Sequence, residues 1–96
     1  MNKKTQDQLE HEKAKLEQIM KSIKQLLPEG YLVTNLYPVM KQIRKNNGSV
    51  AETFWTCWVK KDSMRYLAVL KGDRVKLISH DELNEYQLHT IRSHND

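Results

Sequence analysis

Between Thr53 and Ser79 apolar residues recur at every second position, the spacing of strands whose side chains point alternately to two faces. The run from Thr53 to Lys60 is β-branched and aromatic, which suits a pleated surface. Asp62-Ser63 is a turn signal, because short polar side chains bond their own backbone. Met64 to Lys71 reads as a second strand. Gly72-Asp73 fits a two-residue hairpin with glycine first, and Arg74 to Ser79 reads as a third strand. The two turns set one register. Val59 falls opposite Tyr66, Cys57 opposite Ala68 and Trp55 opposite Leu70. On the other side, Leu70 falls opposite Val75 and Ala68 opposite Leu77. One face then holds Trp55, Cys57, Val59, Tyr66, Ala68, Leu70, Val75 and Leu77, and is the expected core.

The opposite face is also apolar at its centre. It carries Phe54, Trp58, Leu67, Val69 and Ile78, with Lys60, Arg65, Lys71, Arg74 and Lys76 around them. That face must be covered by a helix, a partner subunit or a ligand. A helix is the favoured cover, with the Lys and Arg stems reaching outward past it, because contiguous exposed apolar patches are unusual on soluble monomers. Left open, the face would be either a protein-docking surface or a platform for single-stranded nucleic acid. In the second case bases would stack on Phe54 and Trp58 while cations meet phosphates.

The flanking segments read as helices. Up to Leu27, Leu9, Leu16 and Ile23 recur every seven residues, with Ile19 and Leu26 between them; Glu12 interrupts the seam. Leu9, Leu16, Ile19 and Ile23 are therefore candidates for pairing two copies into a homodimer. Packing of the same stripe on the chain's own sheet is the alternative, and too few heptads are present to decide for a coiled coil. Pro28-Glu29-Gly30 ends this helix. Tyr31 to Leu36 reads as a fourth strand at the edge of the meander or outside it. Pro38 opens a short second helix with Val39, Met40 and Ile43 on one side, and Asn46-Asn47-Gly48 closes it. Its cations Lys41, Arg44 and Lys45 could touch phosphate, although a solvated face is their commoner meaning. Ser79 and Glu82 form a capping box for a last helix carrying Leu83, Tyr86, Leu88 and Ile91.

The expected order is α-β-α-β-β-β-α, a single α+β domain over residues 1–96, frayed at 1–8 and 93–96. Composition fits this, with 96 residues, 39% of them hydrophobic and 29% charged. The net charge is +4, with an acidic final stretch from Ser79 onward, which is weaker than a strong DNA binder's footprint. No apolar run approaches a membrane span, and the basic N-terminus lacks the apolar stretch of a signal peptide. The lone Cys57 suits a reducing compartment, so a cytoplasmic protein is expected.

Catalytic signatures are missing. Cys57 falls on the core face, where a buried thiol is inert. Asp81, Glu85 and His89 would line one face of a helix, but zinc sites recruit ligands from separated segments, and no CxxC or HExxH occurs. Gly30, Gly48 and Gly72 are isolated and build no phosphate loop. The sequence thus points to a non-enzymatic regulator, adaptor or inhibitor without a cofactor or metal. It would dock on a protein partner through Phe54, Trp58, Lys60, Arg65, Leu67, Lys71, Arg74 and Lys76, with nucleic acid as the second candidate partner.

Overall fold

The longest strand of the molecule, Glu52–Lys61, is the one on which every other element leans, directly or through a neighbour. A computed structural model describes residues 6–48 and 50–91, with side chains from residue 10 onward. Along the chain these are α1 (Gln6–Leu26), β1 (Leu32–Val33), β2 (Val39–Lys45), β3 (Glu52–Lys61), β4 (Met64–Lys71), β5 (Arg74–Ser79), a 3₁₀ turn (Glu82–Glu85) and β6 (Tyr86–Thr90). The expected fraying at 1–8 and 93–96 lies outside the described residues, except that 6–8 belong to α1.

The expected layout of three helices and a short three-stranded meander is overturned. Among the described residues there is one α-helix and a six-stranded antiparallel sheet in the order β5-β4-β3-β2-β6, with β1 added to β3. The register of the central hairpins follows the sequence. Val59 faces Tyr66 and Cys57 faces Ala68, while Ala68 faces Leu77 and Leu70 faces Val75. Both tight turns use positive φ, +57° at Asp62 and +63° at Gly72. Gly reaches that region freely, and Asp is among the few other residues that tolerate it.

The segment read as the second helix is β2. Val39 and Ile43 are four residues apart, a spacing that puts two side chains on one face of a helix and equally on one face of a strand. The bare edge of β3 decides between them. β2 pairs with it from Val39–Thr56 to Ile43–Glu52, and a helix there would leave that edge without partners. Pro38, which has no N–H to give, is buried just before the strand begins.

The segment read as the last helix is mostly β6. Its capping box does form. Glu82 N–H donates to Ser79 Oγ at 3.2 Å, and Ser79 N–H donates to Glu82 Oε1 at 3.3 Å. One 3₁₀ turn follows, and then Tyr86 adopts φ −125° and ψ 155°. From there Tyr86 and Leu88 point to one face, with Gln87 and His89 on the other, and β6 pairs with the free side of β2. A few residues of helix are marginal on their own, so the ladder and the buried side chains prevail over the cap.

Two cores result. On the outer face of the sheet α1 lays Met20 and Ile23, both buried, over Cys57, Val59 and Ala68; Ile19, Leu27 and Tyr31 close the edges. On the inner face Ile43, Leu67, Val69 and Ile78 are buried together, flanked by Phe54, Trp58, Leu83, Tyr86 and Leu88. These side chains come from β2, β3, β4, β5, β6 and the 3₁₀ turn. Lys76 of β5 donates to the Tyr86 hydroxyl of β6 at 3.3 Å, although these strands stand at opposite ends of the sheet order. The sheet must therefore curl towards this face. The second apolar face is covered by the sheet's own far strand and the 3₁₀ turn, not by a helix.

The step between β1 and β2 is handled by side chains. Thr34 N–H donates to the Trp58 carbonyl at 2.9 Å, and Asn35 Oδ1 accepts the Trp58 N–H, filling the gap that the two strands leave along β3. Among the described residues, no buried side-chain polar atom lacks a hydrogen-bond partner.

If Ile23 anchors α1, then Ile23→Ala should lower unfolding free energy by about 2–5 kcal/mol in a urea titration. Lys24→Ala, one residue further on the exposed side, should change it by less than about 0.5 kcal/mol.

Candidate functional site

The curl turns the inner face into a concave surface with an apolar floor and a basic rim. Leu67 is fully buried in the floor, and Phe54 and Trp58 are half-buried. Lys60, Arg65, Lys71, Arg74 and Lys76 are all exposed. Strand register brings all eight residues onto one face, as the alternation requires.

Two of the half-buried rings lie under a cation, and the third has one at its hydroxyl edge. The Arg65 guanidinium is 5.0 Å from the Trp58 ring centre, Lys71 Nζ is 5.1 Å from that of Phe54, and Lys76 Nζ is 5.8 Å from that of Tyr86. The Trp58 and Phe54 rings hold their cations in place, and those cations cover the rings. A base could stack here only by displacing a side chain of the same molecule.

Cations also face cations. Lys60 is directly opposite Arg65 at the β3–β4 hairpin, and Lys71 is opposite Arg74 at the β4–β5 hairpin. Like charges in such cross-strand positions are destabilising. Each hairpin has one acid in its turn, Asp62 or Asp73, which leaves both ends net positive.

At one end of the surface the rim closes into a cleft of about 210 Å³, lined among others by Lys45, Glu52, Phe54, Lys71, Lys76 and Tyr86. From sequence, Lys45 is one of the cations that could touch phosphate and Tyr86 an apolar position of a last helix, but neither is placed on this surface, and Glu52 is not singled out. Lys45 and Tyr86 are direct partners in the β2–β6 ladder, a pairing missed because both segments read as helix. The alternation Ile43-x-Lys45 and Tyr86-x-Leu88 is the signal that could have found them.

The residues proposed for self-association divide. Ile23 is fully buried and Ile19 half-buried against the chain's own sheet, and Leu16 is half-buried. Leu9 lies in α1, but its side chain is outside the described residues. Asp81, Glu85 and His89 do not share a helix face, since His89 is in β6. Among the described residues, no group of three or more His, Cys, Asp or Glu could hold a metal ion. No described helix is long and apolar enough to cross a membrane.

Cys57 is buried on the outer face beneath α1. Burial pushes its thiol from the ordinary 9.0 up to about 11, against a smaller opposing pull from the Lys24 charge. Compared with known protein families, characterised proteins and solved structures, the chain matches none.

Two outcomes are expected. The folded thiol keeps its proton between pH 9 and about 11 whereas the unfolded one loses it, so stability should fall across that window. Denaturant titrations of the parent and Cys57→Ala proteins at several alkaline pH values should show the parent losing stability more steeply. Arg74→Glu removes the repulsion with Lys71 and offers it an opposite charge. It should raise the free energy of unfolding by about 0.2–1 kcal/mol at low salt, an advantage that fades as salt is added.

Proposed function

We propose that this protein is a small non-enzymatic regulator, adaptor or inhibitor that docks on a protein partner. In this reading the basic rim of the concave face meets an acidic segment of that partner. The observation that carries the reading is the placement of Lys60 against Arg65 and of Lys71 against Arg74. Folding gains nothing from such pairs, whereas an anionic partner would neutralise both at once. The exposed Arg65 beside the half-buried Trp58 supplies residue types that often anchor interfaces. Ile19 and Ile23 being engaged within the chain, self-association through α1 is no part of this reading. The lone buried thiol supports a reducing, cytoplasmic setting.

Nucleic acid is the second class of partner that a basic rim could meet. An acidic protein segment is favoured because Phe54 and Trp58 already lie under cations of their own chain. Base stacking would forfeit those contacts, whereas carboxylates need only approach from outside.

The experiment compares a labelled Asp- and Glu-rich peptide with a single-stranded oligonucleotide of equal charge, by fluorescence anisotropy over a series of salt concentrations. The peptide should bind at low salt. The double variant Arg65→Glu/Lys71→Glu should weaken it by about tenfold or more. An oligonucleotide that binds much more tightly than the peptide, with a steep loss of affinity as salt rises, would transfer the function to nucleic-acid binding. Failure of the peptide to bind even at the lowest salt would remove the docking role.

A further inference from the structure

The cleft at the end of the concave face has a charge pattern more specific than the rim as a whole. Three lysines reach it from three different strands: Lys45 ends β2, Lys71 ends β4 and Lys76 lies within β5. Sequence separates them widely, and only the curl of the sheet brings them to one place. Glu52 is the acid in the lining. Three positive charges and one negative leave a net of +2.

We propose that this cleft binds a phosphomonoester dianion, the phosphoryl group being the anchor of the acidic segment. The proposal rests on the docking reading above and names the chemistry of its strongest contact. A phosphate ester carries nearly two negative charges at neutral pH, because its second pKa is about 6. It therefore matches the net charge of the cleft, whereas one carboxylate leaves a positive charge unbalanced. Lysine suits the role because its ammonium acts as a compact point charge with three donors, which a phosphoryl group's oxygens can accept.

The site is also pre-organised. Lys71 is held over the Phe54 ring at 5.1 Å and Lys76 stands at the hydroxyl edge of Tyr86, so two of the three ammonium groups are positioned before a ligand arrives. Lys76 Nζ also donates to the Tyr86 oxygen at 3.3 Å. The phenol's own proton then remains to be donated to an incoming oxyanion.

The test titrates the full chain with three peptides of one acidic sequence, carrying serine, glutamate or phosphoserine at the central position. Inorganic phosphate is added in separate competition runs. The phosphoserine peptide should bind about tenfold more tightly than the glutamate peptide. Lys76→Ala and Lys45→Ala should each abolish most of that preference, and Lys13→Ala, on the exposed side of α1, should leave it intact. Thermal unfolding of each variant checks that the fold is retained. Equal affinity for the phosphoserine and glutamate peptides overturns the phosphoryl assignment while leaving docking in place. Failure of all three peptides to bind overturns both. A phosphoserine preference that survives both lysine substitutions overturns the location. If inorganic phosphate displaces the peptide and binds as tightly as the phosphoserine peptide does, the site stands with the free ion as its occupant.

Discussion

β3 carries apolar side chains on both faces, and a chain of 96 residues has little material with which to keep water off both. The two faces are closed by different means. On the outer face, Cys57 and Val59 lie under the second half of α1, where Met20 and Ile23 are buried. On the inner face, Phe54 and Trp58 flank the buried Ile43, Leu67, Val69 and Ile78, and the curl closes that cluster with side chains from β6 and the 3₁₀ turn. One helix is enough because the sheet serves as its own second layer.

The same strand imposes a backbone requirement. One of its edges is taken by β4, and the other is divided between β1 near Lys60 and β2 from Thr56 to Glu52. Between these, Thr34 and Asn35 supply the partners for Trp58. The chain therefore leaves the sheet for a few residues while the Trp58 N–H and carbonyl both keep partners. That detour puts Leu36 far into solvent, at 80% exposure. The buried Thr56 hydroxyl meets the same requirement by donating to the Val39 carbonyl at 2.8 Å.

Curling also concentrates charge. Cations at strand ends would be separate solvated groups on a flat sheet. On a concave one, Lys45, Lys71 and Lys76 line a single cleft, and the hairpins set Lys60 against Arg65 and Lys71 against Arg74. The repulsion so created is small beside the burial of Leu67, Val69 and Ile78, each almost fully out of water. The fold can carry this electrostatic cost, and the outcome is a positive surface above an apolar floor.

The sequence by itself determined the central hairpins, their register and the division of their side chains between two faces. Period-two alternation and two tight turns are local signals, and a shift of one residue would put Leu67 and Ala68 on each other's faces. It also determined α1 up to Leu26 and the Ser79–Glu82 cap. Only the tertiary structure decided the fate of Val39–Lys45 and Tyr86–Thr90. Their spacings, four residues from Val39 to Ile43 and three from Leu83 to Tyr86, fit a helix as well as they fit what formed. What settled them was the unpaired edge of β3 and then that of β2, together with an apolar face that Ile43, Tyr86 and Leu88 help Leu83 of the 3₁₀ turn to close. The cleft was hidden for the same reason. Lys45 and Tyr86 are partners only once both segments are strands, and the short alternations Ile43-x-Lys45 and Tyr86-x-Leu88 do not by themselves say which distant edge each strand pairs with.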